Sequence, residues 1–148
     1  MVSEPRGGVA LARQGGGQRG AVVTGLSMFC GLVMVIFGLW AELLPSSFAT
    51  MIKFPPYNAH LVHDVGAFQI GIGVTVLLAL TRLDALTVAL AGFLVAGVIH
   101  AVNHAMDRSL GGHGADAWAL GGLVMLAGIA LVLHLRSRQS RRSDRDPS

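Results

Sequence analysis

The chain has 148 residues, of which 53% are hydrophobic and only 13% are charged, and its mean hydropathy is +0.62. Because a soluble domain carries about 25% charged residues, this composition argues against a soluble globular protein and indicates a lipid environment. The formal charge of +3 comes mostly from arginines that flank apolar segments. Such flanking charges are typical of membrane topology signals, so nucleic acid is not expected as a partner.

The first apolar segment runs from Ala21 to Ala41 without a charged residue. As a helix, a run of this length spans roughly 30 Å, the thickness of the hydrocarbon core. It is longer than the ~7–15 residues of a signal-peptide apolar region, so we expect an uncleaved helix. The preceding residues 1–20 are rich in Gly, Arg and Gln and predict a disordered cytoplasmic arm.

Three further apolar segments follow, each separated from the next by a polar or proline-rich connection. Pro45, Pro55 and Pro56 mark the first connection, which we expect to be too irregular to continue a helix. The last segment stops at Arg136, and the basic tail of residues 136–148 is predicted to be disordered. The predicted transmembrane domain covers residues 21–135, with spans at about 21–44, 60–81, 85–106 and 117–135.

Lysine and arginine are distributed unequally between the two sides of this arrangement. With the N-terminus inside, nine of the eleven lie on the cytoplasmic side, and only Lys53 and Arg108 lie outside. Positive residues favour cytoplasmic segments, so both termini are predicted to be cytoplasmic, in the cell (inner) membrane. Short connections favour antiparallel neighbours. The predicted fold is an all-α, four-transmembrane-helix antiparallel bundle.

Small residues suggest which helices pack together. On the third span, Gly92 and Ala96 are four residues apart, and Gly97 is likewise followed by a small residue four positions later. The second span carries Gly66 and Gly73. Small residues let membrane helices approach closely. We therefore expect the second and third spans to form a tightly packed hairpin.

Polar and ionisable side chains concentrate near the predicted outer boundary of the second and third spans. One stripe on the third span recurs at i, i+3, i+4 and i+7, and another opens the second span at i, i+3 and i+4, so each stripe occupies one helix face. If the two spans are neighbours, the stripes meet at the same depth, where ionisable residues usually pair inside the bundle. The candidate cluster consists of His60, His63, Asp64, His100, Asn103, His104 and Asp107.

Three interpretations of this cluster stay open. It is a structural network of hydrogen bonds, or it binds a transition metal, for which His100 and His104 at i, i+4 together with His63 are the candidate ligands. As a third interpretation, histidines that titrate near neutral pH form a proton or electron relay, with a facing pair that ligates haem or flanks a quinone. By contrast, His113 is expected to be a solvated loop residue, and His134 an interfacial one.

Catalytic signatures of soluble enzymes are absent from the sequence, which has no Gly-rich phosphate loop, CxxC motif or nucleophile elbow. The predicted function is an accessory or ligand-binding membrane protein, not an enzyme, with an outward-facing His/Asp cluster. The alternative is a metal-, haem- or quinone-linked redox membrane subunit. The expected partner is the lipid bilayer, and a homo-oligomer or larger membrane complex is open because so small a bundle exposes much of its surface.

Two stretches carry a resemblance to a known family: NAHLVHDVGAFQIGIGVTVLLAL at residues 58–80 and AGFLVAGVIHAVNHAMD at residues 91–107. They resemble small four-helix bacterial membrane proteins of the DoxX-like type, in which a polar residue and a Gly-rich stretch open the second helix. The resemblance covers roughly residues 25–135 and implies the four-helix architecture. Some members are linked to sulfur or quinone redox chemistry, but the resemblance assigns no site residue here.

Overall fold

The computed structural model describes residues 6–143, with side chains described for residues 17–82 and 84–143. Helices dominate this part of the chain and no strand occurs in it, which confirms the all-α prediction. In chain order the helices of the described residues are α1 (Arg6–Leu43), α2 (Pro45–Ile52), α3 (Ala59–Ala79), α4 (Leu83–Met106) and α5 (Asp116–Ser143).

Within the described residues, α1, α3, α4 and α5 each contain a segment long and apolar enough to cross a membrane. Only 17–28% of the residues in the most apolar stretches of these segments are buried inside the bundle. Large apolar side chains face outward instead: Phe68 is 74% exposed, Val88 73% and Trp118 79%. Because such a surface is stable in lipid and costly in water, the chain is a multi-pass membrane protein, and the four predicted spans are confirmed by length and composition.

The helices extend further than predicted at both ends of the chain. α1 begins at Arg6, within the arm predicted to be disordered, and α5 continues past Leu135 to Ser143. In α5, Arg and Gln are good helix formers, and a helix that is already nucleated extends at little cost. The first turns of α1 are rich in glycine, a poor helix former, and helix propensity does not explain their conformation. The predictions for residues 1–5 and 144–148 lie outside the described residues.

α1 and α3 form the most extensive interface of the bundle, and it is built on two pairs of glycines. A Cβ added at Gly73 would lie 2.6 Å from the carbonyl oxygen of Gly31, and one added at Gly38 would lie 2.8 Å from the carbonyl oxygen of Gly66. Because Gly31 of α1 faces Gly73 of α3 and the later Gly38 faces the earlier Gly66, the two helices run antiparallel. Their backbones approach to a distance that only glycine allows.

α4 packs mainly against α5, which in turn also contacts α1. A Cβ at Gly97 would lie 2.7 Å from Cγ2 of Val124, so the side chain of Val124 fills the space over this glycine. On the other side of α5, the thiol of Cys30 lies 3.9 Å from the carbonyl oxygen of Leu123. The contacts therefore arrange the spanning helices as a ring in the order α1, α3, α4, α5.

The tight hairpin predicted between the second and third spans, α3 and α4, is wrong. This contact is the least extensive of the four in the ring. The glycines of α3 face α1, since Gly66 and Gly73 meet Gly38 and Gly31, while Gly97 of α4 faces α5. A short turn makes two helices antiparallel, but it does not decide which faces pack; that follows from matching small residues.

The connection between α1 and α3 contains the short helix α2, where the sequence predicted an irregular segment. Pro45 occupies the first turn of α2, and Lys53 ends it in the left-handed conformation with a φ of 51°. Proline suits a first helical turn because its missing N–H has no partner there. Phe48 of α2 is buried and packs edge-to-face on Trp40, with ring centroids 5.8 Å apart, so α2 covers one end of the bundle.

Candidate functional site

The end of the bundle that contains α2 and the loop of residues 107–115, here named the histidine end, holds all but one of the histidines. The opposite end, the arginine end, contains the first part of α1, the turn between α3 and α4, and the end of α5. The antiparallel arrangement of the ring separates the two ends. The predicted cluster therefore lies at the histidine end.

Asp116 in the first turn of α5 is the centre of the polar contacts at this end. Its Oδ2 accepts a hydrogen bond from the backbone N–H of His113 at 2.6 Å and lies 3.7 Å from Nδ1 of His104 on α4. The two side chains are 32% and 28% exposed, for His104 and Asp116 respectively. A carboxylate in the first turn is also favoured by the helix dipole. Asp116 thus joins the end of α4 to the beginning of α5.

The loop before α5 is docked onto the end of α2. Nε2 of His113 lies 2.7 Å from the carbonyl oxygen of Met51, and the N–H of Gly112 donates to the carbonyl oxygen of Lys53 at 3.2 Å. Because a carbonyl only accepts hydrogen bonds, Nε2 of His113 must carry the proton in this contact. His113 is an exposed loop residue, as predicted, and these contacts in addition fix it at two atoms.

Glycine is required at two consecutive positions of this docked loop. Gly111 and Gly112 have φ values of 148° and 83°, a region that L side chains rarely adopt. A Cβ at Gly111 would lie 2.6 Å from the carbonyl oxygen of Lys53, and one at Gly112 would lie 2.9 Å from Oδ2 of Asp116. The two glycines let the loop pass close to both groups. We name Met51, Lys53, His104, Gly112, His113 and Asp116 the outer clasp.

His100 and His104 lie together on α4, as their spacing predicts. The ring centroids are 4.7 Å apart and the planes meet at 85°, an edge-to-face contact. His104 also reaches Asp116, so His100, His104 and Asp116 form a continuous polar line from the face of α4 to α5. The imidazoles and the carboxylate of this line are chemically suited to bind a polar ligand by hydrogen bonding.

The second predicted stripe stays on α3. Nε2 of His60 lies 3.6 Å from Oδ2 of Asp64, and the two side chains are 87% and 52% exposed, so this pair lies on the surface. His63 is half-buried. Among the described residues, no ion pair joins this stripe to the side chains of α4, and α3 packs mainly against α1.

Metal binding by the predicted residues finds no support in this geometry. Across the described part of the chain, no three His, Cys, Asp or Glu side chains lie close enough to hold a metal ion. The proposed ligand set of His63, His100 and His104 is therefore not assembled within one copy of the chain. Asn103 and Asp107 are exposed and contribute a backbone contact, in which the N–H of Asp107 donates to the carbonyl oxygen of Asn103 at 2.8 Å.

Sequence reasoning missed Asp116, Gly112 and His113 as members of the site. The available signal was the combination of consecutive glycines with an acidic residue at the beginning of an apolar helix, a pattern typical of a tight loop that leads into a helix cap. His134, which was expected at the interface, is only 4% exposed and lies inside the arginine end.

Comparison of the chain with protein-family models, with curated proteins and with solved structures finds no match.

Proposed function

We propose that this chain is a four-span protein of the cell (inner) membrane with both termini in the cytoplasm and the histidine end outside. The support is the unequal charge distribution: the histidine end carries Lys53 and Arg108, whereas the other nine lysines and arginines belong to the arginine end and its flanking segments.

Orientation is testable by labelling, because the only cysteine, Cys30, is buried inside the bundle. A membrane-impermeant maleimide should label a Ser109→Cys variant in intact cells. It should label a Ser140→Cys variant only after lysis, since Ser109 and Ser140 are exposed residues at opposite ends. Labelling in the reverse pattern would contradict the proposed orientation.

The proposed role is that of an accessory or ligand-binding protein, not an enzyme, which acts through the histidine end. The observation that carries this proposal is the position of Asp116, whose carboxylate accepts from His113 and reaches His104, while His113 reaches α2. The outer clasp thereby holds three chain segments in one fixed arrangement: the end of α2, the end of α4, and the loop that leads into α5. The exposed ring of His100 lies beside it. A preformed surface of imidazoles and a carboxylate suits recognition of a polar ligand or a partner segment by hydrogen bonding.

An Asp116→Asn variant tests whether the clasp orders this surface. Loss of the charge weakens the hydrogen bond from the His113 amide, and we expect the amides of residues 112 and 113 to exchange hydrogen about tenfold faster, the effect of one weakened charge-assisted bond. Asp107→Asn is the matched control, because Asp107 is an exposed aspartate of the same loop region. Equal exchange rates in the two variants would count against the proposal.

A redox subunit that binds a metal, haem or quinone is the second candidate, favoured by the edge-to-face contact of His100 and His104. These two imidazoles could supply half of a ligand set, which a second copy or a larger membrane complex would complete. Elemental analysis and an absorption spectrum of the protein in mild detergent test whether it binds a metal or haem. Stoichiometric metal or a haem band that is lost in His100→Ala but kept in His60→Ala would favour this candidate; the absence of both, and of bound quinone, would exclude it.

Membership of the DoxX-like type remains a proposal that rests on architecture and on the two quoted stretches. Homo-oligomer formation is likewise a proposal, supported by the large apolar faces that the bundle presents outward. The mass of the protein in detergent, corrected for bound detergent, tests it.

A further inference from the structure

A cleft of about 420 Å³ opens at the arginine end, between α1, α4, α5 and the end of α3. Its lining divides into an apolar zone and a charged zone. The apolar zone consists of Val23 on α1, Leu80 directly after α3 and Leu86 on α4; of these, Val23 and Leu86 are buried and Leu80 is partly exposed. The charged zone is made by the last turns of α5, with Arg138, Arg141 and Arg142.

The arginines of the cleft share one face of α5, because positions 138, 141 and 142 follow the i, i+3, i+4 spacing. Arg138 donates a hydrogen bond to the carboxylate of Asp84 on α4. Among the described residues, neither Arg141 nor Arg142 has an acidic partner. Three arginines and one aspartate give the lining a net charge of +2 with His134 neutral, so the cleft favours an anion.

A buried polar side chain belongs to the same cleft. His134 lines it and is only 4% exposed, one turn before Arg138. Thr24 of α1 adds a hydroxyl to the opposite wall. The cleft therefore combines guanidinium groups and a hydroxyl with aliphatic surface.

The position of the cleft limits the source of the anion. Leu135 is followed directly by Arg136, so α5 passes from apolar to charged residues at the level of the cleft, which corresponds to the boundary between hydrocarbon and water. A free phosphate would occupy the arginines and leave the partly exposed side chain of Leu80 uncovered. A phospholipid in the adjacent leaflet places a phosphate and the beginning of two acyl chains at this same level.

We infer that this cleft binds the phosphate group of an anionic phospholipid. Arg141 and Arg142 donate to the phosphate oxygens, for which the planar guanidinium is well suited, and Leu80 contacts the first methylene groups of the acyl chains. Basic pockets between membrane helices are known to hold anionic head groups. The inference depends on the four spans but not on the proposed role of the histidine end.

Titration of the full chain in a non-ionic detergent tests the inference. Short-chain phosphatidylglycerol is added, and the rise in melting temperature gives an apparent Kd. We expect saturable stabilisation of the wild-type protein, and an apparent Kd raised about tenfold or more in an Arg141→Gln/Arg142→Gln variant, as expected for two arginines near an anionic head group. The matched control is Arg19→Gln/Arg136→Gln, which removes two exposed arginines beside the cleft and should change the Kd less than about twofold.

Three results would overturn the inference. Equal weakening in the two double variants would mean that only general surface charge attracts the lipid. Equal stabilisation by short-chain phosphatidylcholine would mean that the anion is not recognised. Saturation by inorganic phosphate or glycerol phosphate at the same concentration would assign the site to a free phosphate and exclude the lipid source.

A second variant keeps the test decisive if the double variant folds poorly. Asp84→Asn removes the carboxylate that engages Arg138, so a third arginine becomes available to the phosphate. We expect the apparent Kd for phosphatidylglycerol to fall severalfold, an improvement that a general loss of folding cannot produce. An unchanged or higher Kd in a folded Asp84→Asn variant would contradict the assignment.

Discussion

The two most extensive antiparallel interfaces of the bundle, α1–α3 and α4–α5, are stabilised in different ways. Between α1 and α3, glycines lie opposite glycines, and an atom added at Gly73 or Gly66 meets first a carbonyl oxygen of the other backbone. Between α4 and α5, side chains cover the glycines instead, Val124 over Gly97 and Leu94 over Gly128, and ionisable side chains meet at both ends, at His104–Asp116 and at Asp84–Arg138.

This difference follows from what stabilises helices in lipid. Apolar burial contributes little there, because lipid tails are as apolar as the side chains they replace, so close backbone packing and polar contacts remain. Close backbone packing stabilises the α1–α3 interface, and the α4–α5 interface has polar contacts in addition to its packing. A backbone cannot move aside as a side chain can, so α1–α3 should tolerate substitution least.

Gly73→Ala should have the largest effect on stability. The added methyl group would lie 2.6 Å from the carbonyl oxygen of Gly31, and the helices must separate to relieve the clash. We expect a loss of roughly 1–3 kcal/mol, the usual range for overpacking, measured by denaturant or thermal unfolding in detergent.

Gly71→Ala is the matched control for this substitution, since nothing lies within 4 Å of a Cβ at Gly71 on the same helix. The higher helix propensity of alanine should leave this variant unchanged or slightly more stable. If both variants lose the same stability, the glycine pairs do not hold α1 against α3.

Gly97→Ala should have a smaller effect at the α4–α5 interface. Its methyl group would lie 2.7 Å from Cγ2 of Val124, and no backbone atom of α5 lies within 4 Å of it. We expect a loss of about 1 kcal/mol, at the low end of the range for overpacking, because a small shift of one side chain relieves the contact although valine is stiff at χ1. Gly92→Ala, where a Cβ meets nothing within 4 Å, should cost nothing; a loss in Gly97→Ala as large as in Gly73→Ala would remove the distinction between the two interfaces.

The ion pair of Asp84 and Arg138 should have the smallest effect on stability. The side chain of Asp84 is 90% exposed, and exposed pairs contribute little because water and salt screen them. Asp84→Asn should therefore melt at the wild-type temperature in the absence of anionic lipid. A clear drop in melting temperature, abolished by high salt, would show that polar contacts stabilise α4–α5 more than its side-chain packing does.

Local spacing predicted those contacts that lie within one helix. The four spans followed from the length of the uncharged runs, and the contacts His100–His104 and His60–Asp64 followed from the i, i+4 spacing. These are properties of a single helix, whose period is known once the helix is predicted.

Contacts between helices were predicted poorly, because hydropathy is the same on every face of a helix that is surrounded by lipid. The seven-residue separation of Gly31 and Gly38 on α1 equals that of Gly66 and Gly73 on α3, and this match would have identified the true partners. Asp116 and His134 could not be placed from sequence, since their contacts and burial depend on how α5 is rotated against α1 and α4.

The sequence by itself determined that this chain crosses a membrane with four apolar helices, and that five of its six histidines lie at the end opposite to most of its arginines. Both conclusions depend only on the order of apolar and polar residues and on the rise of a helix. The tertiary structure alone decided that α1 pairs with α3, that Asp116 joins α4, α5 and the loop docked on α2, and that three arginines line one cleft. Those features depend on which helix faces meet, and in lipid that choice is made by the shape of small residues and by a few polar contacts.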